Sequence, residues 1–234
     1  MPISTSVSGF LLALAAYSLW GVFPLFFHLL REVPATEILA HRVVWSFSFV
    51  VLLLIATGWH QRALAAIRQP EILKPLILSS LLVSLNWLVF IWAVAQGRVV
   101  ESSLGYFLTP LVSVFLARTF LAETMNRLQL VAIVIASLGI LWLVLRLGYL
   151  PWVSLTLALS FGLYGLVRKR VKVDTFTGLS IETGLLLPIA LGYWLYLSNQ
   201  GVDHFYQSAD SYTALLMTSG LVTALPLLLF ASAT

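Results

Sequence analysis

The chain has 234 residues, of which 60% are hydrophobic and 9% charged, with a net charge of +4. An ordinary soluble domain carries about 25% charged residues, so this composition excludes a water-soluble globule. There is no cysteine, which excludes disulfides and thiolate metal sites, and the excess of base lies in short loops rather than in a nucleic-acid-binding patch.

Eight apolar stretches stand out, at residues 8–30, 36–57, 75–96, 102–122, 128–147, 149–167, 177–197 and 213–234. A hydrocarbon core about 30 Å thick takes roughly 20 residues of helix, so each stretch is a candidate span. Barrel strands would be about 10 residues long and would alternate in polarity. The fold class expected is therefore all-α, a polytopic membrane helix bundle. The first stretch is too long for a signal-peptide core and no basic residue precedes it, which predicts a retained helix.

Span 1 carries Trp20 near its middle, beside Gly21, either as groove packing or as a cavity wall. Span 2 opens with Glu37 and has His41 four residues later on the same helical face. Arg42 follows, and is expected to snorkel to the headgroups. His41 titrates near neutral pH when unperturbed and is a candidate coupling group. Span 3 places Asn86 and Trp87 well inside the bilayer, where an amide must bond another helix or a ligand. Span 4 follows the run Glu101-Ser-Ser-Leu-Gly-Tyr-Phe-Leu-Thr-Pro110. Ser102 or Ser103 is expected to cap it, Gly105 to allow close packing, and Tyr106 and Thr109 to line a polar path to a kink at Pro110.

Span 5 has only small-residue ridges. Span 6 carries Tyr164 and ends in Arg168, Lys169, Arg170 and, shortly after, Lys172, the strongest topology anchor of the chain. Span 7 holds Glu182, the acidic residue set well inside a span, either as a second coupling candidate or as a structural ion pair with the basic 168–172 loop. Pro188 and Pro226 interrupt spans 7 and 8, and together with Pro110 are expected to face protein or a wet cavity, because the carbonyls they free need partners.

With the N-terminus inside, the inner loops hold Arg62, Arg68, Lys74, Arg118, Arg127, Arg168, Lys169, Arg170 and Lys172, nine bases, against Arg31, Arg42, Arg98 and Arg146, four bases, outside. The positive-inside rule then puts the N-terminus in the cytoplasm. Tyr17-Ser-Leu-Trp-Gly21 is echoed by Phe161-Gly-Leu-Tyr-Gly165, and Thr36–His41 by Thr177–Glu182. Residues 1–147 thus read as one five-span repeat and 148–234 as a second with three of five spans. Five is odd, so the second repeat enters the membrane inverted, an arrangement common in secondary transporters.

The blocks Leu11–Gly21, Val33–Ser46, Asn86–Ala93, Glu101–Phe107, Phe161–Lys169 and Ile181–Thr183 together resemble the RarD-type permeases of the EamA branch of the drug/metabolite transporter superfamily. The resemblance covers essentially the whole chain. It implies ten helices in two inverted five-helix repeats of a bacterial inner membrane, with both termini cytoplasmic and a cavity between the repeats. It further implies movement of small metabolites or drugs, with a chloramphenicol-related phenotype. Against that pattern the chain stops at Thr234, and the expectation is a C-terminally truncated fragment, inactive alone.

Two other readings compete: a membrane-embedded enzyme using Glu182 and His41, and a structural membrane subunit. No P-loop, metal-binding histidine pair, nucleophile elbow or dinucleotide fingerprint is present, so no catalytic residue, cofactor or metal is expected. The partners expected are a small-molecule solute and the lipid bilayer, with no nucleic acid.

Overall fold

The computed structural model describes residues 5–122, 124–205 and 210–233. Among these residues there are nine helices and no strand: α1 (Thr5–Leu29), α2 (Ala35–Ala56), α3 (His60–Ile67), α4 (Pro70–Ala95), α5 (Val99–Leu121), α6 (Arg127–Leu147), α7 (Trp152–Arg170), α8 (Thr175–Gln200) and α9 (Asp210–Ala233). Eight of them occupy the eight expected spans. Thr234, the expected end of the last span, lies outside the described residues.

Six helices are long and apolar enough to cross a membrane: α1, α2, α4, α5, α6 and α8. Helix α7 carries the polar residues Ser154, Thr156 and Ser160, and the apolar described stretch of α9 covers only Tyr212–Leu227. Both pack between other helices, α7 on α4 and α5, α9 on α1 and α2. A helix shielded from lipid by its neighbours can carry more polar side chains than one facing hydrocarbon.

The eight-residue helix α3 was not expected. It buries Ala63 and Ala66, exposes Leu64 and Ile67, and packs against α8 and α4. A single amphipathic turn pair of this kind is too short to register as a span. Helix α4 also starts five residues earlier than expected. Pro70 stands in its first turn, where a missing N–H costs no helical hydrogen bond.

Side chains and left-handed glycines set the ends. Asn126 and Gln129 form a reciprocal capping box at α6, and Asp174 accepts the Thr177 N–H at 2.9 Å to start α8. Neither Ser102 nor Ser103 caps α5. That helix begins at Val99, after Gly97 turns the chain at φ 71° and Arg98 takes the N-cap position, and the Ser102 hydroxyl bonds back to the Val99 carbonyl at 2.8 Å.

Helix α2 is the spine of the bundle. It packs on α4, α8 and α9 and buries ten residues, among them Glu37, His41 and Arg42. One apolar cluster joins Phe23 and Phe27 of α1, Ile38 of α2, Phe90 and Ile91 of α4, Leu157 of α7, Phe205 and Leu216. A second joins Val43 and Val50 of α2, Trp87 of α4, Leu179 and Leu186 of α8 and Ala224 of α9. Helix α6 lies at the margin against α5, and no residue of its apolar window is buried.

Three glycines permit close crossings. Gly105 and Gly162 let α5 approach α7, and Gly220 sets α9 directly on the backbone of α2, where the Ser46 hydroxyl donates to the Gly220 carbonyl at 3.3 Å. Gly21 and Gly165 have open space beside them, so the close approach expected there is absent. Pro226 is buried as expected, but Pro110 and Pro188 lie on exposed faces.

A Cβ on Gly220 would collide with the backbone of Trp45 and Ser46, while one on Gly139 would meet nothing within 4 Å. Gly220→Ala is therefore expected to destabilise the protein by about 1–3 kcal/mol through overpacking. Gly139→Ala in the same detergent should hold or raise the unfolding temperature, by the gain of about 0.5–1 kcal/mol usual for alanine in a helix. Equal melting of the two variants would refute the α2–α9 contact.

Candidate functional site

The basic run at residues 168–172 marks one end of the bundle, called here the basic end. Helix α2 begins at the opposite end and runs toward it. Polar groups gather at both levels.

Near the basic end Glu182 of α8 is 1% exposed. The Ser79 hydroxyl of α4 donates to its Oε1 at 2.5 Å, and the Tyr164 hydroxyl of α7 donates to Oε2 at 3.3 Å. Arg168 Nε lies 3.6 Å from Oε1. Three helices therefore meet on one carboxylate. Tyr164 and Arg168 share a face of α7 at i, i+4, as Gly178 and Glu182 do on α8. Gly178 is a seat for the arginine, since a Cβ there would collide with the guanidinium.

Arg168 thus does more than mark a membrane boundary, because it turns inward to the acid. Arg170 donates to the Phe120 carbonyl at 2.9 Å, tying α7 to the end of α5. Lys169 and Lys172 are exposed.

At the opposite end Glu37, in the first turn of α2, is 1% exposed and binds the loop after α8. The backbone N–H of His204 donates to its Oε1 at 2.6 Å, and His204 Nδ1 lies 2.8 Å from Oε2. Nearby, the Thr36 and Tyr193 hydroxyls are 2.8 Å apart, a second link between α2 and α8. One turn deeper, His41 stacks on Phe205 with ring centroids 4.9 Å apart and tilts on Trp194 at 4.5 Å.

Arg42 does not snorkel, contrary to expectation; it is 3% exposed. Its guanidinium carbon lies 4.2 Å from the Trp87 ring centre, 5.3 Å from Phe27 and 5.9 Å from Phe23. The cause is the central place of α2, which turns residue 42 toward α1 and α4 instead of toward lipid. Aromatic faces there stand in for water around the cation.

The remaining candidates divide. Trp87 belongs with Arg42. Tyr106 is half exposed, meets Phe90 edge-on at 5.8 Å and lies in the neighbourhood of Arg42. Tyr164 belongs with Glu182. Asn86 is a tie between helices, its Nδ2 donating to the Leu157 carbonyl and the Ser160 hydroxyl of α7, each at 3.0 Å. Thr109 bonds back to the Gly105 carbonyl at 2.9 Å, so its hydroxyl is engaged within α5. Trp20 is part-buried against the first cluster and meets Tyr17 edge-on at 5.4 Å.

His41 touches Trp194, twelve residues along α8 from Glu182, a separation of about 18 Å at 1.5 Å per residue. The two are not parts of one catalytic site. Among the described residues no group of three or more His, Asp or Glu could hold a metal ion.

Ser79 and the Glu37–His204 contact were missed from the sequence, whereas the ion pair expected between Glu182 and the basic 168–172 loop is made by Arg168. The paired i, i+4 spacings of Tyr164 with Arg168 and Gly178 with Glu182 were a legible signal for the first network. His204 carried no local signal, since its partner lies 167 positions away.

The EamA-like transporter family model matches residues 7–145. Protein RarD of Salmonella typhi is 45% identical over 225 residues, 96% of this chain and 76% of that protein. The uncharacterized transporter YojE of Bacillus subtilis is 43% identical over 228 residues, 95% of this chain and 75% of its own length. The chloramphenicol-sensitive protein RarD of Pseudomonas aeruginosa is 38% identical over 229 residues, 94% of this chain and 74% of its own. No solved structure matches the chain. A multi-pass helical bundle whose sequence matches such a family model over more than half its length, and such relatives over nearly all of it, belongs to the EamA-like transporter family.

Proposed function

We propose that the chain is a secondary-transporter-type permease of a bacterial inner membrane, moving small metabolites or drugs by alternating access between two inverted repeats, residues 1–147 with five spans and 148–234 with three of five. The observation that carries this reading is the pair of polar clasps at opposite ends of the bundle. Ser79 of the first repeat joins Glu182, Tyr164 and Arg168 of the second at the basic end. Glu37 of the first joins His204 of the second at the other. Alternating access needs contacts between the halves that open at one end while the other stays shut.

The packing supports the inverted reading. If α7, α8 and α9 are the counterparts of α1, α2 and α4, exchanging the halves converts the α1–α9 contact into the α7–α4 contact, and both exist. The α2–α8 contact maps onto itself, as a pair on the pseudo-axis must. The bias of basic residues in the sequence toward the loops of one side supports a cytoplasmic N-terminus.

Glu182 is the coupling group in this scheme. As a carboxylate it holds Arg168 by charge and accepts from Ser79 and Tyr164. On protonation it loses the charge that pairs Arg168, and the contact among α4, α7 and α8 loosens. A charged hydrogen-bonded contact is worth roughly 1.5–3 kcal/mol, enough to shift a two-state equilibrium by about ten-fold or more.

Glu182→Gln keeps the shape and can still bond Ser79, but removes the charge. Solute counterflow, on a substrate found by comparing metabolite loss from cells with and without the gene, should fall about ten-fold and lose its dependence on a pH gradient. Unchanged, still pH-dependent counterflow would reject the assignment.

The opposite clasp is testable because the chain has no native cysteine. A single probe introduced as Ile38→Cys sits beside the clasp on a fully buried position. Adding His204→Ala should raise its labelling by a membrane-impermeant maleimide about ten-fold, the factor expected for losing a charged hydrogen-bonded contact. An unaltered labelling rate would show that His204 does not hold that end closed.

A further inference from the structure

Every other buried charged side chain described with printed contacts has a partner of complementary charge or a strong hydrogen bond. Glu37 has His204, Glu182 has Arg168, Ser79 and Tyr164, and Glu101 has Arg98 at 3.6 Å and the Tyr149 hydroxyl at 3.2 Å. Arg42 differs. No carboxylate pairs with it among the described residues, and its Nε is buried with no hydrogen-bond partner. Phe23, Phe27 and Trp87 offer π-faces, which attract a cation but present no lone pair to its N–H groups.

The neighbouring positions show the same deficit. His41 Nδ1 and Nε2 and Trp45 Nε1 are also buried without partners; Glu101 Oε2 and Arg168 Nη1 are too, but each sits on a side chain paired through another atom. One turn of α2, residues 41–45, therefore holds unpaired nitrogens on three side chains. Buried polar groups in folded proteins are overwhelmingly hydrogen-bonded, so a local group of exceptions points to something that binds there. A tryptophan N–H and a guanidinium only donate, and what they lack is an acceptor. The excess positive charge makes that acceptor an anion.

We propose that Arg42 is the recognition site for the carboxylate of an amphipathic solute, with Trp87, Phe23, Phe27 and Tyr106 packing its apolar body. The planar guanidinium matches a carboxylate through two parallel N–H···O bonds, which a lysine ammonium cannot reproduce. This names a substrate class for the permease and rests on that reading for its transport role, while binding itself stands apart from it.

The test uses the purified chain in the uncharged detergent dodecyl maltoside, reading tryptophan fluorescence and unfolding temperature. The probes are benzoate, phenylacetate and hexanoate, each against its neutral amide, with inorganic phosphate and phosphatidylglycerol as separate arms. At least one carboxylate is expected to bind saturably and at least ten-fold more tightly than its amide. Arg42→Lys should weaken that binding about ten-fold and Arg42→Gln abolish it.

If Arg42→Gln does not fold, Arg42→Lys and the wild-type comparison of acid with amide still decide the matter. No preference for any carboxylate over its amide, or a preference retained in both variants, overturns the proposal. So does a response to phosphatidylglycerol or phosphate alone, which would make the site one for a lipid headgroup or inorganic anion. Carboxylate binding that survives alongside unchanged counterflow in Glu182→Gln would instead count against the coupling scheme and leave the site standing.

Discussion

Charge without water is the constraint on which this bundle is organised. A carboxylate or guanidinium inside a bilayer must find its stabilisation in other side chains, and the protein supplies it by bringing separate helices to one group. Glu182 draws Ser79 from α4 and Tyr164 and Arg168 from α7. Glu37 draws in the loop beyond α8. Each buried ion is therefore also a point where helices are fastened, so a change of charge there is a change in packing.

The spine α2 makes this possible. Its burial comes from the absence of a side chain at Gly220, which brings α9 onto its backbone, and from small or branched residues facing α4 and α8. A helix so enclosed cannot send a long basic side chain to the headgroups. Arg42 stays inside because its helix is surrounded, and its aromatic surroundings follow from the same enclosure.

The helices were legible because bilayer thickness imposes a length and an apolar composition that the residues display directly. The ends were less so: Gly97 set the start of α5, where serine capping was the natural expectation. Of the site, Glu182 and Tyr164 stood out as polar groups within apolar runs, and Glu182 as a partner for the basic 168–172 loop, yet the meeting of Tyr164 with Glu182 depended on how α7 and α8 pack. Arg42 was misjudged because its position along α2 says how deep it lies and nothing of which neighbours surround it. Ser79 and His204 were invisible for the same reason, since their partners lie 103 and 167 positions away.

Helix α6 stands apart from this interlocking, with its apolar face unburied and arginines at both ends. Its 21 residues rise about 31 Å, close to the thickness of a hydrocarbon core. Arg146 lies 4.9 Å from the Trp142 ring, an aromatic and basic pair suited to the interfacial layer. Such a helix has little slack for hydrophobic mismatch. In a thicker or thinner membrane it must tilt or deform the lipid around it. Through its junction with α5, the bilayer's own dimensions bear on the helix that carries Tyr106.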